Sequence, residues 1–226
     1  MNTRKLFCML FLLSLLTLPF LSFLPAKADD TIGVVDQSNV VQIYLHNSIQ
    51  HFSPIGQSFT PMLAGLDVVE LWTADFTWNN GFGVEIYVNI REANIYGPIL
   101  GTSYILQLPD SFQGVTRFTF PSLVSLTPGQ LYVIEVIAVG GDAWIVYYNW
   151  GIGSGGGPYS TYPGGTWILN GVEIPENDLW FREGLANPTP QSSAYCKGGL
   201  WAYLTRVDRT FFKNQGDCIQ YVNTSK

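Results

Sequence analysis

Glu70 and Trp72 stand two residues apart in one apolar run, and Glu85, Tyr87, Asn89 and Arg91 alternate through a second. Alternate residues of a β-strand share a face, so these six side chains are expected together on the outward faces of two strands. An indole or phenol ring there offers a flat apolar surface to the C–H side of a sugar. A neighbouring carboxylate, amide or guanidinium can hydrogen-bond the hydroxyls. The chemistry expected is recognition of a glycan on an aromatic platform, and the alternative is a face covered by loops, with Trp72 as ordinary packing. Tyr159 and Tyr162 join the candidate ligand set because they lie in Gly151–Thr166, where seven glycines fall in a segment too long for an ordinary hairpin loop.

Catalytic sets are thin. There are only two histidines, His46 and His51, and no G-x-S-x-G elbow, so familiar nucleophilic catalysis lacks its parts. Glu70, Glu85 and Glu135 are carboxylates on strand-like runs, and a glycosidase would need two of them at a fixed separation across one cleft. Gly151-Ile152-Gly153-Ser154-Gly155-Gly156 has the G-x-G-x-x-G spacing but is followed by Gly157-Pro158-Tyr159 instead of a helix that would hold a pyrophosphate. Zinc would need the two histidines to meet Cys196 and Cys218 from far away in sequence. Asp142, Glu176 and Asp178 could bind calcium, but no D-x-D-x-D-G loop is present. The expectation is no catalytic residue, no metal and no cofactor.

The elements that must position these residues read as short strands. The chain has 226 residues, 47% hydrophobic and only 12% charged, with 23 glycines and 13 prolines that disfavour long helices. Val84, Ile86, Val88 and Ile90 alternate with the four polar candidates. Val69 and Leu71 are expected inward against Val68, Glu70 and Trp72 outward, and Val41, Ile43 and Leu45 repeat the period. Further strands are expected near 55–60, 101–108, 114–120, 129–139, 144–150 and 178–183, nine or ten in all. Asn80-Gly81 and Asn170-Gly171 have the composition of type I′ hairpin turns, and the first would pair the two ligand strands. Such a count suits an all-β, antiparallel two-sheet sandwich of jelly-roll type over residues 29–186. A polar, Pro-containing linker covers 187–195, and a short helix is expected near 210–222 within a small terminal unit over 196–226.

Arg4 and Lys5 precede an apolar stretch from Leu6 to Leu24 that ends in Ala26-Lys27-Ala28, the pattern of a secretory signal peptide over 1–28, with an uncleaved anchor as the alternative. Cleavage after Ala28 would leave eight Lys+Arg against 17 Asp+Glu, a formal charge of −9. Such a charge repels nucleic acid and anionic membrane surfaces, and no membrane association is expected after cleavage. The mature product is expected to be secreted, with its remaining pair, Cys196 and Cys218, oxidised to a disulfide.

Gly56-Gln57-Ser58-Phe59-Thr60-Pro61, Val69-Glu70-Leu71, Leu126-Thr127-Pro128-Gly129-Gln130-Leu131-Tyr132 and Asp178-Leu179-Trp180-Phe181-Arg182 together resemble secreted bacterial jelly-roll sandwiches of the carbohydrate-binding-module or galactose-binding-like kind. The resemblance covers roughly 30–185 and implies a fold more than a ligand. Cys196-Lys197-Gly198-Gly199-Leu200-Trp201 followed by Phe212-Lys213-Asn214-Gln215-Gly216-Asp217-Cys218 resembles a C-terminal C-K-x-G-G-W…F-K-N-Q-G-x-C segment of secreted bacterial proteins, here with Leu200 between the glycines and Trp201. The function expected is a non-catalytic recognition module for polysaccharide or cell-surface glycan. Protein interaction or surface adhesion is the main alternative, and glycoside hydrolysis a lesser one.

Overall fold

A computed structural model of the chain describes residues 32–41, 45–150, 162–175 and 177–224. The segment 1–28 expected to be a signal peptide and most of the glycine-rich stretch, Tyr159 included, lie outside these residues. From 32 onward the described residues belong to one compact unit. They form an open sandwich of two antiparallel sheets. In chain order the strands are β1 (Val34–Asn39), β2 (Leu45–Ser48), β3 (Ile55–Phe59), β4 (Gly65–Asp75), β5 (Val84–Glu92), β6 (Ile99–Thr102), β7 (Leu106–Leu108), β8 (Gln113–Ser125), β9 (Tyr132–Val139), β10 (Trp144–Trp150), β11 (Trp167–Leu169), β12 (Val172–Ile174), β13 (Asn177–Leu179) and β14 (Phe181–Leu185). The first sheet runs β1-β14-β4-β10-β13, with β8 paired to β4 and β2 to β10. The second runs β12-β11-β3-β9-β5-β6, with β7 paired to β5.

Period-two patterning explains how the sheets meet. Val84, Ile86, Val88 and Ile90 of β5 turn inward, as expected, and face Val69, Leu71, Phe118 and Phe181 of the first sheet across one core. The strand expected over 101–108 is divided into β6 and β7, which both pair with β5. Its middle is used differently: Tyr104 N donates to Thr119 O of β8 (2.9 Å), tying the margin of the second sheet to that of the first.

Of the two Asn-Gly turns, one is a hairpin. Asn170 and Gly171 both have positive φ (52° and 74°), and Leu169 pairs with Val172 across them. Asn80-Gly81 is not a hairpin, because β4 lies in the first sheet and β5 in the second. Here positive φ falls on Asn79 (60°) and Gly81 (84°), and carboxylates take the place of a cross-strand ladder. Asp110 accepts from Asn79 N (3.0 Å) and Gly81 N (2.7 Å), and Asp75 accepts from Thr77 N (2.8 Å). The segment is therefore an inter-sheet crossing whose backbone donors are satisfied by side chains, which sequence spacing does not reveal.

The C-terminal segment has two 3₁₀ turns, Ser193–Cys196 and Leu200–Tyr203, and one helix, α1 (Gln215–Thr224), which begins about one turn later than expected. Cys196 and Cys218 form the expected disulfide. Around it Tyr195, Leu200, Leu204 and Phe212 pack with Leu63 and Leu185 of the sandwich. Tyr195 Oη also donates to Asp67 Oδ2 (2.6 Å). Desolvation by this packing, with Asp67 alongside, pushes the Tyr195 hydroxyl well above its ordinary range.

Candidate functional site

Strand register decides which candidates meet. On β4 the core takes Val69 and Leu71, so Glu70 and Trp72 face away from it. Glu70 lies opposite Arg117 of β8 on one side and Arg182 of β14 on the other. Arg117 donates from Nε to Glu70 Oε1 (2.9 Å) and brings Nη2 within 2.8 Å of the same oxygen, while Arg182 Nη2 reaches Oε2 at 2.6 Å. The Glu70 side chain is 2% exposed, against 22% and 28% for the two arginines. A buried carboxylate at the centre of two cations satisfies the requirement that a buried charge be paired.

Trp72 continues this face as part of an aromatic row. Its ring stands 5.8 Å from Trp180 and 6.3 Å from Tyr147, both edge to face. Tyr147 pairs across β10 and β2 with His46, whose ring is 5.7 Å away, and His46 lies 5.5 Å from Phe76. At the other end the Arg182 guanidinium sits 5.4 Å above the Trp180 ring. The row thus runs Phe76, His46, Tyr147, Trp72, Trp180, Arg182 across the outer face of the first sheet. Its rings are tilted against one another instead of coplanar. Trp72 is half-buried and Trp180 buried, whereas His46 and Phe76 are exposed. Gln113 Nε2 donates to Tyr147 Oη (3.1 Å), placing an amide beside the row. Among the described residues, Trp72 Nε1 and Arg182 Nε are buried donors with no hydrogen-bond partner.

Glu85, Tyr87, Asn89 and Arg91 occupy the outer face of the second sheet and therefore do not share a platform with Glu70 and Trp72. The expectation of one six-residue surface failed because it relied on the Asn80-Gly81 hairpin. These four residues form their own polar set. Asn89 Nδ2 and Arg91 Nε donate to Glu135 Oε2 (2.8 and 2.7 Å), and Thr102 Oγ1 donates to Asn89 Oδ1 (2.8 Å). Arg91 Nη1 also donates to Gly97 O (2.8 Å), and Gln107 Nε2 to Glu85 Oε1 (2.7 Å). Asn89 and Glu135 are buried, so the donors and acceptors of this set are largely committed to one another. Tyr87 is half-buried.

Tyr162 is a core residue and not a loop contact. It is 8% exposed and packs edge to face on Phe181 at 5.2 Å. Its hydroxyl donates to Gln37 Oε1 (3.0 Å) and accepts from Thr60 N (3.2 Å). Burial, opposed in part by that amide and reinforced by the Glu183, Asp36 and Asp178 charges, pushes this hydroxyl up to about 12. The tyrosine packs inward because its own N–H is anchored to the buried Asp178 Oδ2 (2.8 Å).

The three carboxylates considered for hydrolysis are also separated. Glu70 is on the first sheet, and on the second Glu135 lies opposite Asn89, four residues along β5 from Glu85. Among the described residues, no group of three His, Cys, Asp or Glu side chains is placed to hold a metal ion.

Arg117, Tyr147, Trp180, Arg182 and His46 also belong to the face, although the spacing of Glu70 and Trp72 does not point to them. A signal for two of them was available, since Trp180 and Arg182 alternate with Leu179 and Phe181, but only pairing places them beside Glu70 and Trp72. A second apolar feature lies at the β4–β5 crossing, where Phe76, Trp78 and Phe82 are 58%, 56% and 62% exposed. No protein-family model matches the chain, and no curated protein matches it.

Proposed function

We propose that this chain is a secreted, non-catalytic recognition module that binds glycan on the outer face of the first sheet. The observation that carries the reading is the junction of the Tyr147–Trp72–Trp180 row with the Arg117–Glu70–Arg182 triad, an apolar surface beside oriented charged groups. Sugars present the same combination, with C–H faces for the rings and hydroxyls for the polar groups. Secretion is supported by the signal pattern in 1–28 and by a disulfide, which persists in oxidising compartments. The likeness of several segments to carbohydrate-binding jelly rolls points the same way.

Protein interaction or surface adhesion is the second reading, favoured specifically by the exposed Phe76, Trp78 and Phe82. A glycan array probed with the mature protein separates the two. Retention of at least one polysaccharide class, accompanied by a change in intrinsic tryptophan fluorescence on titration, is the expected result. No retained glycan on a broad array would contradict the glycan reading and leave the exposed aromatic crossing as the leading surface.

A further inference from the structure

We propose that the C-terminal unit docks the protein on an anionic lipid surface, with the turn Arg206–Arg209 and the neighbouring Phe211 and Lys213 as its contact. This inference is independent of the glycan reading and concerns a segment which that reading leaves unused.

Charge is divided unevenly along the chain. Residues 32–186 contain thirteen Asp and Glu against three Arg, a formal −10, whereas residues 187–226 contain five Lys and Arg against two Asp, a formal +3. Exposed charges separated by more than a Debye length, about 8 Å at physiological salt, are largely screened from one another. The sign of the local surface therefore decides what it can approach, and in this unit the sign is reversed. Arg206 is held by Asp217 at 2.7 Å and lies over Phe212 and Tyr221. Lys197, Arg209 and Lys213 are exposed, and among the described residues none of them is in an ion pair. The one carboxylate on the turn, Asp208, is directed back at Thr210, accepting from its N–H (3.0 Å) and its hydroxyl (2.7 Å).

The turn is not made of the residues a turn needs. Arg206 N donates to Thr210 O (2.8 Å), Arg209 N donates to Arg206 O (2.9 Å), and Thr205 pairs with Phe211 to close a hairpin. Gly, Asn, Asp and Ser suit such positions. Here Val207 stands at the tip, 80% exposed, and Arg209 adopts φ 66°, a left-handed conformation that strains a side chain of its kind. Phe211, 67% exposed, lies at the base of the hairpin. Neither Val207 nor Phe211 belongs to the apolar cluster around the disulfide, so packing does not account for them. Apolar side chains among cations suit the boundary of an anionic bilayer, where the former enter the acyl region and the latter stay with the phosphates. A soluble polyanion would use the cations and leave Val207 and Phe211 in water. The mount is fixed in advance: Val207 N donates to Tyr221 Oη of α1 (3.3 Å), Lys213 N donates to Asp217 Oδ2 (2.8 Å), and the disulfide holds α1. A preorganised contact limits the ordering cost of docking.

The test measures cosedimentation of the mature protein with vesicles of phosphatidylcholine, with and without phosphatidylglycerol, beside binding of inorganic polyphosphate as a soluble polyanion. Vesicles containing phosphatidylglycerol are expected to bind about tenfold or more tightly than phosphatidylcholine alone, as several cations near a negative surface would give, and the preference should fall at high salt. Arg209→Asn tolerates the left-handed turn, so it should melt at or above the wild-type temperature yet lose about fivefold in vesicle binding. Val207→Ser combined with Phe211→Ser should weaken vesicle binding and leave polyphosphate binding unchanged. No binding to phosphatidylglycerol vesicles, equal binding to both vesicle types, or binding that survives Arg209→Asn combined with Lys213→Gln would overturn the proposal. Polyphosphate binding as tight as vesicle binding, and vesicle binding indifferent to the two serine substitutions, would overturn it in favour of a simple anion site. Self-association that the cation substitutions abolish, without vesicle binding, would overturn it in favour of a second copy of the chain. Each of these outcomes leaves the glycan reading untouched.

Discussion

Cys218→Ser is expected to lower global stability by about 4–5 kcal/mol, the upper end of the range for a lost native disulfide in a small domain, and to strip hydrogen-exchange protection from the segment beyond Tyr195. The bridge joins residues 22 apart, and both cysteines are fully buried among Tyr195, Leu200, Leu204 and Phe212. Chain entropy alone assigns about 3 kcal/mol to a loop of this length. A serine hydroxyl left without a partner in that apolar cluster would add about 1–3 kcal/mol. Outside the bridge the segment has the Arg206–Asp217 ion pair at 2.7 Å, with Arg206 also lying over Phe212 and Tyr221. The pair is partly exposed and contributes little by itself. The sandwich should survive with a reduced melting temperature, since Leu63, Leu185 and Asp67 lose their cover but the inter-sheet core does not. Thermal unfolding and exchange mass spectrometry read both effects. An unchanged midpoint with full protection beyond residue 195 would show that packing alone holds the tail.

A second large effect is expected at Glu183. Val69 and Gln37 flank it in the sheet, and Phe181 two residues earlier faces the core, so Glu183 points between the sheets and is 1% exposed. Neither carboxylate oxygen has a donor as a hydrogen-bond partner among the described residues. Desolvation first, and then the nearby Asp36 carboxylate, hold its pKa well above the carboxylate range. The folded state therefore keeps this proton to a higher pH than the unfolded chain, which releases it near pH ~4.3. Stability consequently falls as pH rises from there towards the raised folded pKa, with a slope of up to about 1.4 kcal/mol per pH unit from this group.

Glu183→Gln removes that dependence, because its amide is neutral beside Asp36 at every pH. The variant should match wild type near pH 4 and become progressively more stable relative to it as pH rises. The depressed pKa values of Asp110, held chiefly by Gly81 N–H, and of Asp208 and Asp217 act in the opposite sense and in a lower window. Denaturant titrations from pH 4 to 8 measure the difference. Parallel pH profiles, or a variant that is less stable at pH 8, would show that Glu183 is ionised in the fold.

These two effects illustrate what the sequence reveals unaided. Period two in Gly83–Arg91 identifies both faces of β5, and Asn170-Gly171 identifies a real hairpin, because each depends on neighbouring residues alone. Cys196 and Cys218 pair as their number and setting suggest. Glu183 escapes notice because a carboxylate in an alternating strand reads as solvent-facing, and only the register with Val69 turns it inward. The proposed ligand face escapes for a related reason. Asp75 and Asp110 convert an apparent hairpin into a crossing between sheets, which separates Trp72 from Tyr87 and gives it Tyr147, Trp180 and Arg182 as neighbours from distant parts of the chain. Tyr162 follows a glycine-rich stretch in the sequence, yet its amide bond to Asp178 directs it into the core.

The most direct test of the first sheet as the recognition face compares Trp72→Ala and Tyr87→Ala in titrations with one polysaccharide that the wild type retains. Both rings are half-buried but stand on opposite outer faces. Trp72 is wedged between Tyr147 and Trp180, so its removal should cost stability, somewhat less than the ~3–5 kcal/mol of a fully buried Trp. Thermal unfolding run beside the titration confirms that each variant is folded at the temperature of measurement. The expected result is loss of binding by at least tenfold in Trp72→Ala, equivalent to about 1.4 kcal/mol, and unchanged affinity in Tyr87→Ala. Retained affinity in a folded Trp72→Ala protein, with loss in Tyr87→Ala, would contradict the account and move the site to the second sheet.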